Sequence, residues 1–110
     1  MNVDHTLAAL ADPTRRGVVE LLRRRPRRAG ALAEALSVTA AALSRHLRIL
    51  RQHGLVELAG AQPDDARVRV YRLRPAPFVM LRSWLEQVEA SSAVELDERR
   101  GHAKRSKPRW

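Results

Sequence analysis

The chain has 110 residues, which is enough for one domain with one modest hydrophobic core and too short for two. It contains 21 lysines and arginines against 12 aspartates and glutamates, so its net charge of +9 makes a polyanionic partner the first expectation. Because there is no cysteine, disulfides, thiolate nucleophiles and thiolate metal sites are excluded.

The first ten residues do not have the pattern of a signal peptide. It lacks a basic stretch followed by an apolar one, and no apolar run in the chain approaches the length of a membrane span. We therefore expect a soluble, cytoplasmic protein. Val3, Leu7 and Leu10 recur at i, i+4 and i+7, which is typical of one face of a short amphipathic helix.

Three further helices are predicted before residue 54. Asp12 and Pro13 are favoured at the N-cap and first helical positions, and they predict a second helix over about 13–25. Its expected buried residues are Val18, Leu21 and Leu22. A short third helix follows over 30–36. Thr39 is the expected N-cap of a fourth helix, which His53 and the left-handed residue Gly54 end. The inward face of that helix is expected to be Leu43, Leu47 and Leu50.

The rest of the chain predicts a β-hairpin and a last helix. Two segments of alternating polarity, 55–60 and 67–73, flank the turn-favouring stretch 61–66. After Pro75 and Pro77, a helix is expected to begin near Phe78 and to run to about Glu98. We thus predict a mainly α (α+β) winged helix-turn-helix domain over residues 1–98.

Residues 99–110 are predicted to be a disordered basic tail. They contain six of the basic side chains and no acidic one, so residues 1–98 carry only a net +3. The tail has no apolar periodicity, and its charge is expected to raise nonspecific affinity for DNA.

The fourth helix has the composition of a recognition helix that enters the major groove of DNA. Opposite its leucines it carries a set of small and long basic residues: Ala40, Ala41, Ser44, Arg45 and Arg48. We expect Arg45 to bind guanine, and Ser44 and Thr39 to bond a base or a phosphate. Taken alone, the same pattern fits a solvated charged face on an ordinary core helix.

The hairpin favours the DNA-binding interpretation. Arg67 and Arg69 alternate with Val68 and Val70, which predicts one apolar face and one guanidinium face suited to phosphates or to the minor groove. Without the preceding helices, this alternation would indicate only a half-buried edge strand.

Three motifs in order resemble the winged-helix regulators of the ArsR/SmtB family. They are LADPTRRGVVELL, LAEALSVTAAALSRHLRILRQHGLVEL and YRLRP, and the resemblance covers about residues 5–90. It implies a homodimer, built on the first and last helices, that binds a near-palindromic operator. Many relatives have Gln and Ser at the positions of Ala40 and Ala41. Because alanine side chains cannot form hydrogen bonds, this chain cannot recognise bases by hydrogen bonding at these two positions. By position, the resemblance implies these contacts with DNA: Thr39, Ala40, Ala41, Ser44, Arg45 and His46 in the recognition helix, and Arg67 and Arg69 in the wing.

Dimerisation also follows from an excess of apolar residues on the two end helices. So small a domain does not need this much apolar surface on its last helix for one core, and two copies packed together would bury it. The predicted interface residues are Val3, Leu7, Leu10, Phe78, Leu81, Trp84, Leu85 and Val88. The alternative is that Trp84 simply covers the core of the monomer.

A metal effector is a second expectation that the resemblance implies, although thiolate sites are excluded and the last helix lacks a histidine pattern. In an antiparallel dimer, the first helix would approach the distal end of the partner's last helix. A nitrogen and oxygen site for Ni²⁺ or Zn²⁺ would then comprise Asp4, His5, Glu95, Asp97, Glu98 and His102. The alternative is that these residues are solvated helix ends.

The predicted function is that of a dimeric, sequence-specific transcriptional regulator with duplex DNA and a second copy of itself as partners. The alternative is a charge-driven architectural or RNA-binding protein, although the body carries only +3 and aromatic residues for stacking are scarce. A winged helix that binds only a protein co-regulator also stays open. An enzyme is not expected, because the chain has no phosphate-binding glycine loop and none of the hydrolase motifs.

Overall fold

The computed structural model describes residues 2–61 and 63–99, with side chains described as far as residue 92. In these two ranges, five α-helices, three short strands and one 3₁₀ turn follow one another in the order of a winged helix-turn-helix. Their bounds are α1 Val3–Ala9, α2 Pro13–Leu22, β1 Arg27–Arg28, α3 Ala29–Leu36, α4 Ala40–Gln52, β2 Val56–Ala59, the 3₁₀ turn Ala66–Val68, β3 Val70–Leu73 and α5 Pro75–Arg99. Within the described residues, no helix is both long enough and apolar enough to cross a membrane.

Polar side chains begin three of the helices. The Asn2 side chain accepts a hydrogen bond from the His5 amide at 3.1 Å, and Thr39 accepts one from the Ala42 amide at 3.1 Å. Asp12 caps α2 in the same way. The predicted caps Asp12 and Thr39 are therefore confirmed, and each satisfies one of the free amides that every helix start exposes.

Two predicted helix limits were wrong. Helix α2 ends at Leu22 rather than near residue 25, and Arg27–Arg28 forms a strand that the sequence analysis did not predict. This strand exists through pairing with β3, in which Arg27 is opposite Tyr71 and Arg28 is opposite Val70. Two residues are too short for a periodic pattern, so only the distant partner reveals them. Helix α5 begins at Pro75, three residues before Phe78, because proline fits the first turn of a helix.

The core is formed by the inward faces of α2, α3 and α4 and by the start of the sheet. Its buried residues are Ala9, Val18, Leu22, Leu32, Leu43, Leu47, Leu50, Leu55, Val56 and Tyr71. The inward face predicted for α4 is thus confirmed, as are Val18 and Leu22, whereas Leu21 is only half-buried. In α1 it is Thr6 and Ala9 that face the core, while Leu7 is 42% exposed.

The wing differs from the predicted hairpin. Strand β3 lies between β1 and β2 in an antiparallel sheet, but it starts at Val70 rather than at residue 67. Arg67 and Val68 lie in the 3₁₀ turn, so the predicted alternation of arginine and valine on two faces of one strand was wrong. The reason is local, since the Asp65 carboxylate accepts a hydrogen bond from the Arg67 amide at 3.0 Å and bends the chain into a turn.

The described residues reach only the beginning of the predicted tail. Helix α5 continues to Arg99, one residue beyond the predicted domain boundary. The prediction of disorder was therefore wrong for Arg99, and for residues 100–110 it lies outside the described range.

Candidate nucleic-acid interface

A short turn between α3 and α4 fixes the angle of the helix-turn-helix. Ser37 ends α3 in the left-handed conformation with a φ of 55°, and the Val38 amide donates to the Ala33 carbonyl at 3.1 Å. Thr39 then caps α4. Because every residue of this turn has a defined backbone role, α4 leaves α3 in a single direction.

Helix α4 separates an anchoring face from an exposed face. Leu43, Leu47 and Leu50 are between 0% and 3% exposed, so they fix the helix on the core. The predicted readers Ala40, Ala41, Ser44, Arg45 and Arg48 are all exposed. The structure therefore brings these five residues together on one outward surface of α4.

The end of α4 places the wing beside this surface. Gly54 has a φ of 78°, the Leu55 amide donates to the Leu50 carbonyl at 2.9 Å, and the Gly54 amide donates to the Arg51 carbonyl at 3.0 Å. This is the hydrogen-bond pattern with which a left-handed glycine reverses a chain after a helix. The reversal leads directly into β2 and so returns the wing toward α4.

The two wing arginines are bound by their own loop. Arg67 forms an ion pair with Asp65 at 3.1 Å, although its side chain is 75% exposed. The side-chain hydrogen bond from Arg67 lowers the pKa of Asp65, and the same bond raises the pKa of Arg67. Arg69 donates from Nε to the Pro63 carbonyl at 3.3 Å and is partly buried. Both guanidinium groups are thus oriented before any ligand arrives.

His46 lies apart from the other predicted readers. Its Nδ1 is 3.7 Å from the Asp12 carboxylate and 3.5 Å from the Arg15 guanidinium, and its side chain is 23% exposed. It therefore occupies the side of α4 that packs toward α2. A contact between His46 and DNA stays a prediction.

Arg15 and Arg16 are structural residues that the sequence analysis counted only as charge. Arg15 donates from Nε to the Ala9 carbonyl at 2.7 Å and from Nη2 to the Ala8 carbonyl at 3.2 Å. Arg16 donates to the Leu10 carbonyl at 2.8 Å. Both therefore bind carbonyls at the end of α1, and a helix C-terminus attracts cations. The sequence signal that could have predicted this role is their position just after the Asp12 cap, in the first turn of α2 and close to the end of α1.

Asp12 completes this junction between α1, α2 and α4. The backbone amide of Arg15 is the main cause that holds the pKa of Asp12 below its ordinary value of 3.8, and the charges of His46 and Arg15 act in the same direction. The carboxylate therefore stays ionised at the start of α2, where a negative charge is favoured.

The outer surface of α1 and α5 is apolar and uncovered. Six large apolar side chains there are between 40% and 51% exposed: Leu7, Val79, Met80, Trp84, Leu85 and Val88. Val79 and Met80 were not in the predicted interface. Phe78, which was, packs in part against the core of its own chain. Helices α1 and α5 pack against each other, so these exposed residues belong to neighbouring helices.

The predicted metal site is not assembled by the residues that can be described. Among these residues there is no group of three or more side chains that could hold a metal ion. The His5 ring lies 5.3 Å from the His53 ring, on the side of α1 near the end of α4. The side chains of Glu95, Asp97 and Glu98, and all of His102, lie outside the described range. A response to Ni²⁺ or Zn²⁺ stays a prediction.

The comparisons with known proteins agree with this arrangement. The family described as bacterial regulatory protein, arsR family, matches residues 12–57, which contain α2, α3, α4 and the start of β2. The HTH-type transcriptional regulator Rv2034 of Mycobacterium tuberculosis is 40% identical over 84 residues, which cover 76% of this chain and 75% of that protein.

Solved structures show the same fold over most of the chain. An ArsR-like transcriptional regulator from Rhodococcus sp. RHA1 has a TM-score of 0.77 and 30% identity, covering 89% of this chain and 86% of its own. The homodimeric winged helix-turn-helix DNA-binding domain of Mb0332 from Mycobacterium bovis has a TM-score of 0.58 and 25% identity, covering 94% and 87%.

Proposed function

This chain belongs to the ArsR family of bacterial regulatory proteins, and on that premise we propose that it binds an inverted repeat in duplex DNA as a homodimer. Family membership makes it a transcriptional regulator with a winged helix-turn-helix fold rather than an enzyme. The dimer and the inverted repeat are the proposed part.

The observation that carries the proposal is the exposed face of α4. Ser44, Arg45 and Arg48 point outward from a helix whose opposite face is fully buried. An arginine on such a helix can donate two hydrogen bonds to guanine, a pattern that only the major groove presents distinctly. Arg45 forms no ion pair with any described residue, so no internal partner competes with a base.

Homodimer formation is supported by the apolar surface of α1 and α5. Trp84, Leu85 and Val88 are exposed on a long helix that extends from the core, where water would otherwise cover them. A two-fold interface would bury the same surface on both copies and would present two α4 helices. Such pairs bind half-sites about 34–36 Å apart, which is one turn of DNA.

The wing and the last turns of α4 are proposed to contact the DNA backbone. Arg67 would exchange its exposed ion pair with Asp65 for a phosphate, which limits the net gain. Arg48 lies along α4 toward the wing and forms no internal ion pair among the described residues. These contacts orient the protein on the duplex and carry no direct sequence information.

The test is a binding-site selection from random duplexes, followed by anisotropy titrations with the selected duplex and with a scrambled one. Arg45→Ala is expected to cost about 1–3 kcal/mol on the selected duplex and to reduce the preference over the scrambled one. Arg67→Ala should weaken both duplexes by a similar factor. Arg82→Ala, on α5, is the matched control and should change neither.

Two results would contradict the proposal. One is an Arg45→Ala variant that keeps both its affinity and its preference. The other is equal affinity of the wild type for selected and scrambled duplexes across a salt titration, which would favour the charge-driven architectural alternative.

A further inference from the structure

The space between α4 and the wing is a continuous cleft made of two cavities. One cavity has a volume of about 340 Å³ and the other of about 460 Å³. Both are lined by Ser44, Leu47, Arg69 and Tyr71, so these four residues form the passage between them. Tyr71 is only 7% exposed and lies at the floor of the cleft.

The smaller cavity, here called the alanine chamber, exists because small residues from three elements face one another. They are Ala29, Gly30 and Ala33 of α3, Ala40 of α4 and Ala66 of the 3₁₀ turn. Leu43 and Leu47 complete its apolar lining. The chain approaches itself closely here, since a Cβ on Gly30 would lie 3.3 Å from the Arg67 carbonyl oxygen. Larger side chains at these positions would fill the chamber.

The larger cavity, here called the arginine mouth, has the opposite chemistry. Arg48, Arg51 and Arg69 line it, and no carboxylate does. Neither Arg48 nor Arg51 forms an ion pair with any residue in the described ranges. Glu34, the one acidic residue on the cleft, lines the alanine chamber instead. The cleft is therefore mainly apolar at one end, although Glu34, Arg67 and Arg69 also line the chamber, and it is cationic at the other end.

From this polarity we infer that the cleft binds an amphipathic organic anion, such as an aromatic carboxylate. Its ring system would occupy the alanine chamber and its carboxylate would face Arg48 and Arg51. A chamber at the small end of the range for ligand pockets holds a body of about ten to fifteen non-hydrogen atoms. A DNA phosphate would suit the arginine mouth, but nothing in a DNA backbone fills an apolar chamber behind it.

The consequence, which rests on the proposed function, is that the anion and DNA compete. A carboxylate that faces Arg48 and Arg51 in the arginine mouth also lies beside Ser44 and Arg69. Ser44, Arg48 and Arg69 are all among the residues predicted to contact DNA. The bound anion would thus release the protein from its operator without any change in the dimer.

The first arm of the test uses 1-naphthoate as the probe and 1-naphthalenemethanol as its neutral analogue, with dissociation constants from NMR titration. Ala33→Leu and Ala66→Leu should weaken naphthoate about tenfold, because the larger side chains would take up the space in the chamber that the ring system needs. Ala35→Leu, exposed on the same helix outside the cleft, is the control and should stay within about twofold of wild type. Ala66 is exposed, so its variant keeps the test valid if Ala33→Leu fails to fold.

The second arm tests the charge. Arg51→Gln should weaken naphthoate several-fold and leave the neutral alcohol unchanged, whereas Arg82→Gln should change neither. The inference is overturned if wild-type protein does not bind naphthoate at millimolar concentration. It is also overturned if Ala35→Leu loses as much affinity as Ala66→Leu, or if the alcohol binds as well as the anion.

The third arm separates this inference from the proposed function. Naphthoate should raise the dissociation constant of the selected duplex for wild type but not for Ala66→Leu. If no duplex is preferred but naphthoate still binds with the expected variant pattern, the proposed function fails and the cleft site stands. If DNA is bound specifically and naphthoate does not bind, the reverse holds.

Discussion

Arg15 joins three helices through a single guanidinium group. Arg15 lies in α2, and its guanidinium donates to two carbonyls at the end of α1 and contacts the His46 ring of α4. Because α1 carries part of the proposed dimer surface, this side chain ties that surface to the helix proposed to read DNA.

We predict that Arg15→Ala lowers the free energy of unfolding by about 1–2 kcal/mol, since two carbonyls lose a charged donor and one of them is partly buried. Arg16→Ala, which removes one exposed hydrogen bond, is the control and should cost about 0.5 kcal/mol or less. Urea denaturation measures both. Equal losses in the two variants would contradict the role given to Arg15.

The lowered pKa of Asp12 predicts a specific acid response. A carboxylate whose folded pKa lies below its unfolded value adds stability at pH values above the unfolded value of 3.8, and this contribution is lost as the pH falls through the folded value. Asp12→Asn retains a good helix cap but lacks the charge. Its difference in unfolding free energy from wild type should therefore shrink as the pH falls from about 5 to about 2.

Asp64→Asn is the matched control for the acid response. Asp64 is exposed, and it forms no ion pair with the described part of the chain. Its variant should run parallel to wild type over the whole pH range. A constant difference between Asp12→Asn and wild type would show that the charge of Asp12 is not what stabilises the junction.

Residue type alone was enough to predict the caps Asp12 and Thr39, because an N-cap acts within three residues of its own position. It was not enough for Arg15 and His46, whose partners lie 6 to 34 residues away. Such contacts depend on how the helices pack, so the sequence alone does not indicate which carbonyl an arginine will bind.

At the scale of elements, the end of α4 determines where the wing lies. Gly54→Ala is predicted to destabilise the fold by about 1 kcal/mol, because an alanine must adopt the same positive φ. Gly54→Asn should recover part of this loss, since asparagine tolerates that conformation better. The measurement is again urea denaturation, and an alanine variant as stable as wild type would contradict the cap geometry.

The elements that the sequence predicted well are those with a long internal pattern. Helix α4 has three leucines at helical spacing and a polar residue at each end, so its limits followed directly. Strand β1 and the 3₁₀ turn were missed or mistaken because they depend on partners, β3 for the strand and Asp65 for the turn. The alternation of arginine and valine over 67–70 is also typical of a strand. The Asp65 carboxylate favours the 3₁₀ turn instead, because it accepts a hydrogen bond from the Arg67 amide.

For the molecule as a whole, the apolar face of α5 predicts which substitution would separate the two chains of the proposed dimer. Leu85→Lys should raise the dimer dissociation constant about a hundredfold, because two copies of a buried leucine are lost from one symmetric interface. Leu85 is 51% exposed in the single chain, so the monomer should stay folded, as circular dichroism would show.

Gln87→Lys is the control for the dimer variant, since it places the same charge at an exposed position of the same helix. Sedimentation velocity over a concentration series should show it associating like wild type. If Leu85→Lys also associates like wild type, the interface lies elsewhere on the molecule.

The overall architecture could be predicted because three motifs in order specify one family and one fold. Leu7, Trp84, Leu85 and Val88 were predicted as surface residues and are exposed, whereas Leu10 and Phe78 pack against the core. Val79 and Met80 are exposed but were not predicted. The cleft between α4 and the wing could not be foreseen, because the residues that line it come from positions 29 to 71 and meet only after folding.

We propose above that two copies of this chain bind one DNA duplex as a dimer. It is tested most directly by the mass of the complex with the selected duplex, measured by sedimentation equilibrium. We expect two chains of 12.4 kDa on each duplex, and we expect that complex to be lost when the two half-sites are moved apart by half a helical turn. A complex with one chain per duplex, or one indifferent to the spacing, would contradict it.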